Sequence, residues 1–144
     1  MLKDSIVLVM WFVAIAVQVL LPVFFFNSLG FSAFLYVGCL CIAVFLILSF
    51  LAQNRFNKKG GIPQGKNCMY TTNLVNDGVY SVVRHPMYTG WILLMFSFSF
   101  FSQHWLSVVL GLITAALIYR QAANEDKMLV QKFGTEYYAY MKAV

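Results

Sequence analysis

Three adjacent residues, Arg84, His85 and Pro86, stand immediately before a long apolar run. Pro86 disfavours helix in the residue before it and suits the first position of a helix that follows. The backbone N–H groups of Met87 and Tyr88 would then lie at a helix N-terminus, which favours negative charge. Because Arg84 and His85 add side-chain donors beside this helix end, the segment predicts an anion-binding site.

A plainer interpretation of the same segment stays open. An arginine next to an apolar run often serves only to anchor the end of a membrane span, and Tyr88 and Trp91 have the composition of an aromatic belt. Gly90 would then serve only to let another helix approach closely.

Two adjacent acids, Glu125 and Asp126, form a second group that could take part in chemistry. They follow the last apolar run, so they return to the side that carries Arg84 and His85 if that run folds back on itself. Carboxylates beside a basic helix end could hold a ligand that carries both signs of charge. The alternative is a solvated helix face that happens to carry two acids.

The distribution of charge places both groups beside membrane spans. Of 144 residues, 61% are hydrophobic and 10% are charged, whereas about a quarter of the residues in a soluble domain are charged. No Asp, Glu, Lys or Arg occurs in residues 5–54 or 85–119, and each range exceeds the roughly 20 residues of one helical span. The net charge of +5 is better explained by membrane topology than by a nucleic-acid partner.

Four transmembrane helices in two hairpins fit this pattern. We expect the first hairpin to consist of residues 5–26 and 31–53, and the basic loop that follows faces the cytoplasm by the positive-inside rule. A single helix over residues 91–119 would be about 44 Å long, against about 30 Å for a bilayer core. We therefore predict two short helices that are broken at Ser102–Trp105.

The predicted fold is an all-α integral membrane domain with both termini in the cytoplasm. Its parts are a transmembrane hairpin at 1–53, a cytoplasmic loop at 54–86, a second hairpin at 87–120 and an interfacial helical tail at 121–144. In this tail we expect the last membrane helix to continue to about Lys132 and to end at Gly134. A short helix would follow, rich in tyrosines that suit the headgroup layer, namely Tyr137, Tyr138 and Tyr140.

The C-terminal half carries a more specific signal. LVNDGVYSVVRHPMYTG at residues 74–90, EDKML at 125–129 and FGTEYYAYMKAV at 133–144 together resemble the isoprenylcysteine carboxyl methyltransferases and their relatives, the phospholipid N-methyltransferases. This resemblance implies a membrane-embedded methyltransferase that binds S-adenosylmethionine near the cytoplasmic face. It also implies a lipophilic small-molecule or lipid-linked acceptor that arrives through the membrane lipids.

The resemblance assigns the cofactor pocket to residues on both sides of the second hairpin, with no metal ion. These are Tyr80, Arg84, His85, Pro86, Tyr88, Gly90, Glu125 and Asp126. On this assignment the methionine carboxylate of the cofactor meets the helix end with His85, and its amine or ribose hydroxyls meet Glu125.

The residues leave the acceptor open. A carboxylate acceptor needs no base but needs its charge held, which suits Arg84 or Arg120. An amine or thiol acceptor has to lose a proton, for which His85 or Glu125 is the candidate base. Arg84, Arg120 and Glu125 are therefore the predicted catalytic residues, and we favour carboxyl O-methylation over N-methylation of a phospholipid or amine.

A small four-helix multidrug transporter has the same length and number of spans. Such a protein needs an ionisable residue within its spans to couple proton movement. His104 is the only candidate, and it is predicted at the turn between the two short helices. The basic loop and the acidic pair would remain unexplained, so the sequence favours the enzyme.

Overall fold

The computed structural model describes the backbone of residues 2–61 and 71–144, with side chains of the first range described from Phe12 onward. Part of the predicted basic loop, residues 62–70, lies outside the described residues. The helices are α1 (Leu2–Phe25), α2 (Ser32–Lys59), α3 (Pro86–Ser102), α4 (Trp105–Phe133) and α5 (Thr135–Ala143), with a 3-10 turn at Gly78–Ser81. Within these described ranges the fold is all-helical, as predicted.

The central element of the bundle is α3, which packs against α1, α2 and α4. Close packing against α2 depends on small residues. A Cβ atom on Gly90 of α3 would lie 3.1 Å from Cδ2 of Phe45, and one on Gly38 of α2 would lie 2.6 Å from Cε1 of Phe101. These contacts bring the two backbones together, as small residues do between membrane helices.

The outer surfaces of α2 and α4 are those of membrane helices. Each is long and apolar enough to cross a bilayer, and only 6% of the most apolar window of α2 is buried inside the protein. Large apolar side chains such as Tyr36, Leu40 and Phe50 are exposed, and exposed apolar area of this extent indicates contact with lipid. Since the core helix of a soluble protein is mostly buried, these features indicate a membrane protein.

The apolar run at 91–119 belongs to two helices, as predicted, because the chain turns at Gln103. This residue adopts the left-handed conformation with φ 50°, and its amide ties together the two turns of the bundle. The Nε2 of Gln103 donates to Oδ1 of Asn27 at 2.7 Å and to the carbonyl of Phe31 at 2.8 Å. The Oε1 of Gln103 accepts from the backbone N–H of Phe31 at 3.1 Å.

The second helix is longer than predicted, whereas the fourth ends where the sequence predicts. The second helix continues to Lys59 rather than ending at residue 53, because its last turns are held by contacts of Arg55 and Lys59 with Asp77 and basic residues suit a helix C-terminus. The fourth helix runs without a break past Arg120 to Phe133, as predicted, so it carries the acidic pair well beyond its apolar part. A continuous helix of this length projects Glu125 and Asp126 rigidly from the end of the bundle.

A buried polar contact joins α1 to α3 and α4 within the apolar region. The side chain of Gln18 is fully buried, and its Nε2 donates towards the carbonyls of Met95 and Ser107, each at 3.0 Å, and towards Oγ of Ser99 at 3.1 Å. Gly111 makes room for it, since a Cβ atom there would lie 3.2 Å from this Nε2. Polar contacts of this kind hold membrane helices together.

Candidate functional site

The segment before α3 is shaped by Pro86. Pro86 is the first residue of α3 and is buried, and His85 precedes it as the N-cap with φ −123° and ψ 66°. The carbonyl of His85 accepts from the backbone N–H of Thr89 at 3.0 Å and from its Oγ1 at 3.1 Å. The predicted helix start is therefore confirmed, and it fixes Arg84 and His85 at the end of the bundle.

The loop that leads to this segment is held against the last turn of α2. The carboxylate of Asp77 accepts a hydrogen bond from Nζ of Lys59 at 2.5 Å and lies 3.5 Å from Nε of Arg55. The hydrogen bond from Lys59 is the main cause that lowers the pKa of Asp77 below its usual range. Arg55 and Lys59, which the sequence places in the basic loop after the second span, thus hold the motif in position rather than only marking topology.

The acidic pair of α4 meets the helix end of α3. The Nε2 of His85 lies 2.7 Å from Oδ1 of Asp126, and Nη1 of Arg84 lies 3.3 Å from Oδ2 of the same carboxylate. The other ring nitrogen of His85, Nδ1, lies 3.8 Å from Oε2 of Glu125. The predicted return of the acids to this end of the bundle is therefore confirmed.

Two tyrosines of α5 complete the cluster, and sequence reasoning missed their role. The hydroxyl of Tyr137 donates to Oδ1 of Asp126 at 2.5 Å, and the hydroxyl of Tyr140 donates to the carbonyl of Tyr80 at 2.6 Å. Both tyrosines are buried. Their i, i+3 spacing, which puts them on one face of a helix, was the signal that could have found them.

The charge of Asp126 is stabilised although the residue is mostly buried. It lies on α4 beyond the apolar part, which ends before Arg120. Burial raises the pKa of the Asp126 carboxyl, but hydrogen bonds from Tyr137 and His85 and the charge of Arg84 outweigh burial and lower it overall. Burial together with the neighbouring carboxylate raises the pKa of the Tyr137 hydroxyl far above its usual value. Asp126 is thus ionised and Tyr137 neutral near pH 7.

Comparison with known proteins identifies the family to which the chain belongs. The family described as phospholipid methyltransferase matches residues 6–136. The chain belongs to this family. Among curated proteins, it is 27% identical over 124 residues to the protein-S-isoprenylcysteine O-methyltransferase of Dictyostelium discoideum. The match covers 84% of the chain and 52% of that relative, so the chain spans about half the length of the relative. No solved structure matches it.

The resemblance to this family read from the sequence is thus confirmed, and the structure gathers most of its motif residues. Asp126 contacts both Arg84 and His85, Glu125 lies 3.8 Å from His85, and the ring of Tyr88 lies 5.5 Å from the ring of His85. Tyr80 joins through its backbone carbonyl.

The structure places two predicted site residues apart from the cluster. Gly90 is buried against Phe45 of α2, in the packing contact that the plainer interpretation proposed. Arg120 is exposed on α4, and within the described residues it makes no hydrogen bond or ion pair. Its guanidinium is therefore available to an external group near the end of the apolar part of α4.

The two acids of the pair differ in their surroundings. The Asp126 side chain is 15% exposed and accepts from three neighbouring side chains. The Glu125 side chain is 37% exposed, and of the side chains that the structure describes it approaches only that of His85, at 3.8 Å. A bound ligand could reach the Glu125 carboxylate directly, while the oxygens of Asp126 are already engaged by Tyr137, His85 and Arg84.

Proposed function

We propose that this protein is a membrane-embedded methyltransferase that uses S-adenosylmethionine and acts on a lipophilic acceptor. One observation carries the proposal, namely that a basic helix end and a partly exposed carboxylate lie at one site. His85 and Glu125, which lie on different elements far apart in the chain, approach to 3.8 Å. Membership of the phospholipid methyltransferase family supports it.

The chemistry of the donor set fits S-adenosylmethionine. The methionine part of the cofactor carries a carboxylate and an ammonium, and the ribose carries hydroxyls. The backbone N–H groups at the start of α3, with Arg84 beside them, suit a carboxylate. Glu125 suits the ammonium or the hydroxyls. The proposed cofactor site keeps the eight motif residues, with Asp126 acting through His85 and Gly90 through the packing of α3 against α2. They are Tyr80, Arg84, His85, Pro86, Tyr88, Gly90, Glu125 and Asp126.

When bound, S-adenosylmethionine supplies an electrophilic methyl group on a sulfonium. The protein then has to align the acceptor with that methyl group, exclude water and hold the acceptor's charge. Arg84 is the candidate cation within the site, and the exposed guanidinium of Arg120 is a candidate at its edge. The lipid-facing surface of the bundle is where the apolar part of the acceptor would lie.

Carboxyl O-methylation is the reaction that we favour. A carboxylate acceptor needs no base, whereas an amine acceptor has to lose a proton before or during transfer. The name of the relative from Dictyostelium discoideum, an isoprenylcysteine O-methyltransferase, supports the same reaction. N-methylation of a phospholipid is the second candidate, which the family description favours.

We further propose that α1 to α4 each cross the bilayer, with the two termini and the site on the cytoplasmic side. The Gln103 side chain joins the turn between α1 and α2 to the turn between α3 and α4. Neither turn carries an Asp, Glu, Lys or Arg, which suits the membrane surface away from the cytoplasm. All charged residues precede, follow or link the hairpins at the opposite end, as the positive-inside rule expects. In this arrangement a soluble cofactor and a membrane-dissolved acceptor meet at the end of α3.

The test is methyl transfer by protein purified in lipid nanodiscs. Radiolabelled S-adenosylmethionine is supplied with one of two acceptors, a farnesylated cysteine analogue with a free carboxylate or phosphatidylethanolamine. Base-labile label on the prenyl analogue supports carboxyl O-methylation, and base-stable label on the phospholipid supports the second candidate. Absence of S-adenosylmethionine binding to the purified protein would contradict the proposed function altogether.

A further inference from the structure

The two adjacent acids of α4, Glu125 and Asp126, have different hydrogen-bond partners, and a residue of α5 contributes to the difference. Oδ1 of Asp126 accepts from the Tyr137 hydroxyl at 2.5 Å and lies 2.7 Å from Nε2 of His85. Oδ2 accepts from Nη1 of Arg84 at 3.3 Å. Donors thus approach this carboxylate from α5 and from the segment before α3. A carboxylate with both oxygens engaged has little capacity left for a ligand.

His85 is oriented by the same carboxylate. Its Nε2 is engaged by Asp126, so the ring presents Nδ1 on its other side, 3.8 Å from Oε2 of Glu125. The gap between these atoms is longer than a hydrogen bond. The Glu125 side chain is the more exposed of the two acids. Nδ1 of His85 and the carboxylate of Glu125 are thus among the polar groups of this cluster that can still meet a ligand.

We propose that the two adjacent acids have different roles and that Tyr137 enforces the difference. Asp126 is a positioning residue, which is held by the Tyr137 hydroxyl and in turn orients His85. Glu125 is the acid that meets the cofactor. The assignment rests on the proposed function, and it adds Tyr137, a residue of the C-terminal helix, to the machinery of the site.

The position of Tyr137 explains why a hydroxyl there affects a site on other helices. Its side chain is 1% exposed, and its ring packs edge-on against that of Tyr140 at 5.7 Å. Tyr140 in turn donates to the carbonyl of Tyr80. The tyrosine pair therefore fastens α5 both to α4 and to the 3-10 turn before the motif, which limits the movement of the Asp126 carboxylate.

The experiment measures the dissociation constant of S-adenosylhomocysteine by calorimetry and the ligand-free melting temperature of detergent-purified protein. The variants are Y137F, D126N, the double variant Y137F/D126N and E125Q. Y138F is the matched control, because Tyr138 is the next residue on the same helix and is exposed. Replacing Tyr by Phe removes only the hydroxyl and keeps the ring packing.

We expect Y137F to weaken binding about 3- to 10-fold, because the loss of one hydrogen bond costs about 1 kcal/mol. In the D126N background the same change should have no further effect on affinity, because Tyr137 acts through Asp126. E125Q should weaken binding about 10-fold or more while keeping the ligand-free melting temperature, since the one described side chain that Glu125 approaches, His85, lies 3.8 Å away. Y138F should match the wild type in both measurements.

Several outcomes would overturn the assignment. If Y137F weakens binding equally in the wild-type and D126N backgrounds, Tyr137 does not act through Asp126 and only supports the packing of α5. Wild-type affinity in Y137F or in E125Q, with the wild-type protein binding the ligand, overturns the division of roles and leaves the proposed function intact. If the wild-type protein does not bind the ligand, the proposed function fails and the assignment fails with it. Should D126N be too unstable to purify, Y137F and E125Q decide, because a melting temperature lowered by E125Q but not by Y137F contradicts the proposal.

Discussion

Nε2 of His85 lies 2.7 Å from Oδ1 of Asp126, although 41 positions, which include all of α3 and most of α4, separate these residues in the chain. The contact joins the residue that precedes α3 to the part of α4 that extends beyond the apolar region. It exists because the chain reverses at Gln103 and because α4 does not stop at Arg120. Two ordinary features of helical membrane proteins, a turn and a long helix, thereby assemble the candidate site.

Replacing His85 with Ala should abolish stabilisation by the cofactor. The change removes a donor from the start of α3 and leaves Asp126 without one of its close partners, so we expect at least about a tenfold loss of affinity for S-adenosylmethionine. The measurement is the thermal shift of purified protein on addition of the ligand. His104→Ala is the control, because His104 lies at the turn at the other end of α3, where its Nδ1 accepts from the N–H of Leu106 at 3.3 Å and its ring stacks on Phe25. An undiminished shift in H85A would contradict the site.

The stability of the protein should fall in alkaline solution through the buried tyrosines. Burial is the main cause that raises the pKa of Tyr140 to about 12, against about 10 in an unfolded chain. Because the folded state holds the Tyr140 proton more tightly, the stabilisation that comes from the protonated hydroxyl is fully present below about pH 10. It is lost as the pH rises towards about 12. Melting temperatures between pH 8 and 11 should decline less in Y140F than in the wild type. An equal benefit from Y138F would contradict the assignment to Tyr140.

The Gln18 contact should stabilise the bundle without affecting ligand binding. Replacing Gln18 with Leu removes its contacts to α3 and α4, each of which contributes about 0.6 kcal/mol in membrane proteins. We expect a lower melting temperature and an unchanged affinity for S-adenosylhomocysteine. Q53L is the matched control, since Gln53 is exposed on α2 and bonds only to Asn57. A melting temperature of Q18L equal to that of the wild type would show that the buried amide does not hold the helices together.

The stability of the turn at Gln103 should depend more on the hydrogen bonds of the Gln103 side chain than on the strain of its backbone conformation. Gln103→Gly accommodates φ 50° without strain but removes the bonds to Asn27 and Phe31. We expect a net loss of about 1–3 kcal/mol, since each buried hydrogen bond contributes about 1 kcal/mol, measured as a lower melting temperature in detergent. Trp105→Ala, at an exposed position two residues further on, serves as the comparison. A more stable Q103G would mean that backbone strain outweighs the tie between the turns.

Much of the helical layout followed from residues that act locally. The gaps in charge predicted the apolar helices, and Pro86 predicted the start of α3, because its ring restricts the residue before it and lacks an N–H. The break at Ser102–Trp105 was expected because a single helix would be too long for a bilayer. The extension of α2 to Lys59 was not expected, since its last turn is stabilised by contacts such as that between Lys59 and Asp77.

The roles of individual site residues were harder to read from the sequence. Tyr137 and Tyr140 looked like tyrosines of the headgroup layer, and only the packing of α5 shows that they are buried and donate to Asp126 and to Tyr80. Gly90 looked like a ligand contact or a packing contact, and the structure shows the packing against Phe45. In each case the local sequence allowed two partners, and the neighbouring helix decided between them.

The sequence by itself determined the family, the apolar helices and the residue types at the candidate site, because these depend on motif spacing, charge distribution and local backbone preferences. The tertiary structure alone decided which of the two acids of α4 is engaged by neighbouring side chains and which stays accessible. Adjacent residues on a helix point about 100° apart, so Asp126 meets Arg84, His85 and Tyr137 while Glu125 keeps an accessible carboxylate. That difference depends on side chains brought together from α3, α4 and α5, and no local pattern in the sequence contains it.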